Sequence, residues 1–425
     1  MPKDKIITGI DIGSSKITTI IAQATEASKL NIIGVSSVGA RGLKKGQVVD
    51  IEEAVKAITQ SLESAERMAG YSVGSAFIST DGTHIESQNS KGVVAVSSPS
   101  GEISEEDVIR VVEAARAISL PSSKEILHVI PRFFIIDSQS GIKDPIGMTG
   151  VRLEVETHII TGATTALRNI AKCASLVGID VDGLVFSGLA GAYSVLTDTE
   201  RELGVILVDF GGGTTDITIF TDGAPVHSAV LPIGAKNVTN DLAIGLRVSL
   251  ESAEKIKLAL SSAPKIAVEM DEEGNAQDKK ESDKLDLAGL GIEEDLRNIS
   301  KKTLTDGIIK PRLREIINMV KLEIQKSNYA GLTPSGVVLT GGGAQTTGMM
   351  DLARQELGMP VRIGSPMGAT GLVEEVSSPA SAASLGLVVY GSQFQTDDVR
   401  LPLVGRIQIK GAVTRGLGWI KSLLP

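Results

Sequence analysis

The chain opens on two short apolar segments, Ile6–Ile12 and Ser15–Gln23, rich in Ile and Thr and joined through Gly13 and Ser14. β-Branched residues on either side of a small-residue turn predict a strand–turn–strand unit. From Ile51 to Ala69 the apolar positions recur at helical spacing and stop at Gly70, which predicts an amphipathic helix with a glycine C-cap. A strand is expected at Ser75–Ser79. Residues 84–160 change character: strand-like Val93–Ser97 and Leu127–Asp137 flank a helix announced by the capping signal Ser104-Glu105-Glu106-Asp107. This stretch reads as an inserted α+β subdomain. Further on, Thr165–Val177 predicts a helix and Val181–Phe186 a strand. Val205–Asp209 is continuously apolar up to its Asp, as expected of a strand buried on both faces, with Ile217–Phe220 as its hairpin partner. Asn237–Leu260 and Ser300–Lys326 read as helical, Gly336–Leu339 as a strand and Gly348–Leu357 as the helix after it. Glu272–Asp286 mixes charges of both signs and predicts a solvated loop. The alternation of strands and helices implies a mostly parallel sheet with helices on both faces.

Composition narrows the function classes. A chain of 425 residues, 42% hydrophobic and 22% charged, has room for two or three buried cores. Aromatics at 3% argue against a surface that stacks bases or sugars, while 46 glycines suit many tight strand-to-helix turns. Forty-two Lys and Arg against 51 Asp and Glu leave a net charge of −9, so nucleic acid is not an expected partner. Cys173 has no second cysteine to pair with and is expected to be a small buried hydrophobe in a reducing compartment. The four histidines, His84, His128, His158 and His227, lack metal-ligand spacing. The N-terminus runs straight into a strand, leaving no room for a signal peptide, and no apolar run nears the roughly 20 residues that span a bilayer. A cytoplasmic protein is the expectation.

One internal repeat carries the chemistry. The stretch from Gly9 to Thr19 (GIDIGSSKITT) echoes the one from Val208 to Thr218 (VDFGGGTTDIT): a buried strand, an Asp, a small-residue turn and a second strand. A turn built on Gly13, Ser14, Ser15 and Lys16, or on Gly211, Gly212, Gly213, Thr214 and Thr215, lets backbone N–H groups approach a phosphate without a Cβ in the way. Asp11 and Asp209 at the strand ends suit a hydrated Mg²⁺, which takes few carboxylates and keeps several waters. Two such hairpins face to face would clamp a polyphosphate and its metal between two domains. For one copy alone a plain glycine-rich turn fits as well; two copies with the same Asp make that reading poor. The P-loop pattern and the Rossmann pattern are both absent. A third cluster, Gly341, Gly342, Gly343 and Ala344, follows the Gly336–Leu339 strand. It would let a flat adenine lie on the backbone, although taken alone a plain tight turn is the better reading.

Taken together these segments resemble the actin-like ATPase superfamily. Asp11–Lys16 is similar to its first phosphate loop, Asp209–Thr215 to its second and Gly341–Ala344 to its adenosine motif. Ser187–Ala192 and Pro379–Gly386 resemble its two connecting helices. The helix containing Glu254 and Lys257 resembles the adenosine-bracketing segment of DnaK-type chaperones, which implies that these two lie at the ribose and base; the alternative is an ordinary solvated pair on a helix. The resemblance therefore implies ATP and Mg²⁺ as cofactors. Within the superfamily the chain is most similar to the FtsA family of cell-division proteins, through Gly9–Ile21, Gly39–Gly46, Val208–Phe220, Pro232–Gly234, Thr239–Ala243 and Ile309–Ser327. That family implies an actin-like, ribonuclease-H-like two-domain α/β fold with a nucleotide cleft, an inserted α+β subdomain and a C-terminal amphipathic helix. The expected division is a first domain over 1–83, 164–195 and 360–392, with the insert at 84–163. The second domain takes 196–240 and 305–359 with a small subdomain at 241–304, and a linker over 393–410 precedes a terminal helix at 411–425.

The family also implies partners: the C-terminal peptide of FtsZ, further copies of the chain in a filament, and other division proteins at the insert. Arg297, Lys301, Lys302 and Arg312 are the candidates for pairing with an acidic peptide, against the alternative of a solvated basic helix face. The tail adds an argument of its own. On a helix Val413, Leu417, Ile420 and Leu424 form one stripe, Trp419 and Leu423 widen it, and Lys421 lies off it. That is the pattern of an anchor lying in an anionic membrane surface, the other reading being a helix docked on the protein's own core. The expected place of work is the cytoplasmic face of the membrane at the division site. Ser187 stands where vigorous members of the superfamily carry Gln or Glu to orient a water, so weak ATPase activity at most is expected. Three rivals share the fold class: the type IV pilus adaptor PilM, a small-molecule kinase and a DnaK-type chaperone.

Overall fold

The computed structural model describes residues 5–24, 30–262 and 300–396, together with 269, 270, 276, 277, 283, 285, 289–292 and 294. Arg297, most of the 272–286 segment and the whole 411–425 tail lie outside the described residues.

The first sheet is built on the N-terminal hairpin, β1 (Lys5–Ile12) and β2 (Lys16–Ala24), extended by β3 (Leu30–Gly39). A minor hairpin follows, β4 (Leu43–Lys44) and β5 (Gln47–Val48). Helix α1 (Ile51–Ala69) covers one face: Asp50 caps its start by accepting from the Glu53 amide, and Gly70 ends it in the left-handed region at φ 62°. β6 (Ser75–Thr80) joins the sheet beside β1.

The insert follows, as β7 (Glu86–Ala95), α2 (Glu105–Arg116), β8 (Lys124–Ile136), β9 (Gln139–Ile142) and β10 (Arg152–Ala163), in sheet order β7-β10-β8-β9. Ser104 and Asp107 form the reciprocal capping box that the sequence predicts. β7 starts well before the expected Val93, because the polar run Glu86–Lys91 pairs in register with β10 from Glu86↔Thr161 onward. Polar side chains hid a strand that tertiary partners hold in place.

Chain order then gives α3 (Thr164–Val177), β11 (Asp180–Phe186), α4 (Ser187–Val195), α5 (Asp198–Leu203), β12 (Val205–Phe210), β13 (Thr215–Thr221) and β14 (Ala224–Leu231). Next come α6 (Ala235–Leu246), α7 (Leu250–Ser262) and the two-residue pair β15 (Glu269–Met270) and β16 (Ala276–Gln277). The predicted Ser300–Lys326 helix is continuous but carries one π-helical turn, Thr305–Ile309, between α8 (Lys301–Leu304) and α9 (Lys310–Lys326). β17 (Val337–Thr340), α10 (Met349–Leu357), β18 (Val361–Ile363), β19 (Ala369–Gly371) and α11 (Ala382–Thr396) complete the chain, so α11 continues past residue 393, where a linker was expected.

The two main sheets have the orders β11-β6-β1-β2-β3-β19 and β14-β13-β12-β17-β18. Both are mixed, which corrects the expectation of mostly parallel sheets. Each is seeded by an antiparallel hairpin, β1–β2 or β12–β13, and the strands that follow helices α1, α3, α9 and α10 add in parallel, as does the short β19 against β3. Helices α4 and α11 lie between the sheets, and Gly386 of α11 approaches the Ala190 carbonyl so closely that a Cβ there would stand 1.8 Å from it. One core joins both sheets around this helix pair, a second lies under α6, α7, α9 and α10, and a third fills the insert beneath α2. No helix among the described residues is long and apolar enough to cross a membrane.

Candidate functional site

The two hairpins of the internal repeat meet across the cleft between the sheets. In each, a largely buried interior strand carries its Asp to its C-terminal end, and the small-residue turn follows after one residue. Gly212 comes so near the first turn that a Cβ on it would sit 1.9 Å from Ser15 Oγ. Gly13 N–H donates to the Lys16 carbonyl, which closes the first turn. The second is braced from behind: Ala235 and Lys236 amides at the start of α6 donate to the Gly211 and Gly212 carbonyls, both at 2.9 Å.

Between the hairpins lies a cavity of about 710 Å³, within the size range of small-molecule and cofactor sites. Its walls include Asp11, Gly13, Ser14, Ser15, Lys16, Asp209, Gly211, Gly212, Thr214, Glu254, Lys257, Gly341, Gly342 and Gly343. Thus the three sequence-separated glycine clusters and the α7 pair come together. Gly213, Thr215 and Ala344 stand apart from the lining; the Thr215 hydroxyl is buried and donates instead to the Ile233 carbonyl at 2.8 Å. Glu254 and Lys257 are not a solvated pair. Lys257 is 6% exposed, and its ammonium bridges Glu254 Oε2 at 2.7 Å and Thr239 Oγ1 at 2.9 Å. Gly341 adopts φ 81° and leaves no room for a Cβ, which would lie 2.2 Å from Asp209 Oδ1.

Several lining residues escaped the sequence reading. Asp81 follows β6 as Asp11 and Asp209 follow their strands, a third instance of a strand, an Asp and a Gly that was legible but passed over. Its carboxylate accepts the Thr214 hydroxyl from the opposite side of the cleft. Asp216, inside the repeat itself, lines the cavity with one carboxyl oxygen buried and unpartnered. Lys236 crosses the cleft the other way, its ammonium donating to the Ser14 carbonyl at 2.7 Å. Leu250 and Leu258, four residues before and after Glu254 on α7, give the wall two apolar patches. Nothing in the spacing of these leucines marked them as more than surface positions.

The electrostatics are those of a desolvated nest of carboxylates. Asp11 accepts from Ser79 Oγ at 2.8 Å, yet burial raises its pKa. Burial, then the charges of Asp11 and Asp81, push Asp209 up to about 7. Burial, then Asp81 and Asp209, hold Asp216 well above the ordinary carboxylate range. Lys16, also desolvated, is lowered despite Asp11 and Asp209. Carboxylates that raise one another in a buried cleft favour a cation between them. Asp11 and Asp209, both in the lining, fit a cation that takes one or two carboxylates and draws its other ligands from water and phosphate oxygens, as Mg²⁺ does.

The candidate peptide-binding cations lie around α8 and α9. Asp283 caps α8, accepting from Ser300 Oγ and the Lys302 amide. Arg312 is held by Asp241 of α6 through Nε and Nη2 at 2.5 and 2.9 Å, and by Glu315 at 2.5 Å.

Residues 206–386 match the family described as "Cell division protein FtsA", and residues 82–161 match "SHS2 domain inserted in FTSA". Cell division protein FtsA of Pseudomonas aeruginosa is 40% identical over 402 residues, 94% of this chain and 93% of the relative. That of Escherichia coli K12 is 36% identical over 427 residues, 99% and 96% of the two chains. Among solved structures, a PilM–PilN type IV pilus biogenesis complex aligns with TM-score 0.64 at 16% identity, over 91% of this chain and 98% of the other. MreB5 of Spiroplasma citri bound to ADP aligns with TM-score 0.52 at 12% identity, over 94% and 99%. The last two likenesses speak for the fold alone.

Proposed function

The chain belongs to the FtsA family of cell division proteins, and from that premise we propose that it binds ATP with Mg²⁺, polymerises, and ties FtsZ filaments to the cytoplasmic face of the membrane at the division septum. The observation that carries the nucleotide part is the meeting of two Asp–Gly hairpins across one cavity, with Asp11 and Asp209 desolvated and mutually repelling. Asp11 and Asp209 would hold the Mg²⁺ through water, and the ion would neutralise charge on the phosphates. The amides of Gly13–Lys16 and Gly211–Thr215 would cradle the phosphates, and Lys16 would add a positive charge. Gly341–Ala344 and the Glu254–Lys257–Thr239 cluster would receive the adenosine end. Ser187 at the start of α4 offers a hydroxyl but no amide or carboxylate to orient a water, so turnover is slow.

The division into two actin-like domains, an insert at 84–163 and a small subdomain at 241–304 belongs to the same reading. The acidic FtsZ peptide would dock beside Arg297, Lys301, Lys302 and Arg312, where it competes with Asp241 and Glu315 for Arg312. The 411–425 tail would lie in the lipid surface through Val413, Leu417, Trp419, Ile420, Leu423 and Leu424, with Lys421 toward anionic headgroups. The insert would receive other division proteins. The pilus-adaptor reading keeps the fold as its only support.

Two measurements test the proposal. A fluorescent C-terminal peptide of FtsZ from the same cell should bind saturably in anisotropy, and Lys302→Glu with Arg312→Glu should weaken it. Absence of binding at millimolar protein would sink the partner assignment. Co-sedimentation with anionic vesicles should require residues 411–425 and fade at high salt; equal sedimentation without them would remove the anchor from the tail.

A further inference from the structure

The insert belongs to the first sheet's side of the molecule by chain connection, entering after β6 and leaving into α3. It is also rooted there by contacts: Leu127 joins the main core, and the Phe186 amide donates to His128 Nε2 at 3.0 Å. Its other face, however, is bonded to the second sheet. Ser87 Oγ of β7 donates to the Ser228 carbonyl at 2.8 Å and accepts from the Ser228 amide at 2.9 Å. Asn89, on the same face of β7, donates from Nδ2 to the Val226 carbonyl at 3.1 Å and to the Tyr329 hydroxyl at 3.2 Å. β14 is the edge strand of its sheet, and these two side chains occupy backbone groups that a neighbouring strand would have taken.

His158 of β10 ties the seam together. Asn89 Nδ2 is committed as a donor, so Asn89 Oδ1 accepts from His158 Nδ1–H at 2.8 Å. The ring, fully buried, is then neutral with Nε2 as acceptor, and the Ser228 hydroxyl donates to it at 3.0 Å. Arg132 lies 6.0 Å from the Tyr329 ring, and Lys143 donates to the Asp222 carbonyl beside β14. The seam is thus polar and individually weak at every point, unlike the apolar cores on either side of it.

We propose that the insert is a detachable strap between the two sheets, and that release of the nucleotide requires the β7–β14 seam to open. The inference rests on the nucleotide reading of the cavity. Beside the cavity the two sheets are held together by contacts of their own: Gly212 against Ser15, Lys236 to Ser14, Thr214 to Asp81. The movement proposed for release parts the two sheets. The insert moves with the first sheet, to which it is covalently and apolarly joined, so the bonds to Val226 and Ser228 must break. A partner that seizes the insert would change the nucleotide's residence without touching it, and the nucleotide would in turn hold the insert docked.

The test uses the full chain and a fluorescent ATP analogue with Mg²⁺. Asn89→Ala removes two bonds across the seam and the one that holds His158, and should speed release about tenfold, the factor worth about 1.4 kcal/mol. A Ser87→Cys, Ser228→Cys pair in a Cys173→Ser background should, once oxidised, slow release at least fivefold, and reduction should restore it. The rate of that cross-link must also rise when nucleotide is bound. Equal release rates for oxidised and reduced protein, with a cross-linking rate indifferent to nucleotide, would overturn the strap even if Asn89→Ala merely unfolds. Failure of the unaltered chain to bind the analogue would sink the nucleotide reading and the strap with it. Normal binding with an inert seam would sink the strap alone.

Discussion

Asp209→Asn should make the nucleotide-free protein more stable and the nucleotide-binding protein worse. Asp209 is 9% exposed, and burial with Asp11 and Asp81 nearby raises its pKa from 3.8 to about 7. A raised carboxyl favours the fold fully below the unfolded value and loses that contribution as pH climbs from 3.8 to about 7. Above that window the fold carries an ionised, unneutralised group, at a cost of up to about 4 kcal/mol by the usual conversion of pKa into free energy. Asparagine fills the same space without charge. Part of the cost is recovered in the unaltered protein by relaxation and water entry, so a gain of about 2 kcal/mol at pH 8, several degrees in Tm, is expected. At pH 5, partway up that window, the gain should be roughly a third of that at pH 8. With Mg²⁺ and ATP the order should reverse, because the substitution removes a carboxylate that would hold the proposed cation. Thermal melts followed by circular dichroism at pH 5 and 8, with and without nucleotide, check all four conditions. A lower Tm for Asp209→Asn at pH 8 without ligand, or the same gain at both pH values, would refute the account of the cleft as a nest of repelling carboxylates.

Other expectations follow from single contacts. Lys236→Ala removes the ammonium that now bonds the Ser14 carbonyl, and it should weaken ATP about tenfold or more while leaving adenosine within twofold, read by calorimetric titration. Gly212→Ala places a Cβ 1.9 Å from Ser15 Oγ, so the hairpins must part; ATP affinity should fall at least tenfold, and retention of affinity would mean that the turns do not meet as described. Burial lowers His128 and His158 to about 3, so each supports the fold fully above its unfolded value of 6.5 and loses that support as pH falls toward 3. The pair should cost up to about 2.7 kcal/mol per pH unit in that window. Urea melts at pH 7 and 5.5 should show it, and His158→Gln should flatten the slope by about half.

The repeat of strand, Asp and small-residue turn was readable because local chemistry dictates it. An apolar strand must bury, a turn without Cβ atoms must bend, and an Asp at the junction has few other uses. The same holds for α1, whose Asp50 and Gly70 caps are local signals, and for α2, whose Ser104–Asp107 box closes within one turn. Distances along the chain hid the rest. β7 was invisible because its stability comes from β10 and from Ser228, some 140 residues away, and its own polar side chains argue against a strand. Asp81 and Lys236 looked like ordinary loop and helix charges until folding set them against Thr214 and Ser14 across the cleft. Arg312 looked like a surface cation, but Asp241 takes it bidentately.

By itself, then, the amino-acid pattern determined the class of fold, the two phosphate-type hairpins and the place of the insert, since each depends on residues within one element or one turn. Only the tertiary structure decided that the hairpins touch, that their carboxylates share one desolvated cavity, and that the insert is bonded to both sheets. Desolvation and long-range hydrogen bonding exist only between segments that folding brings together, and no spacing along a chain encodes how closely two of them will approach.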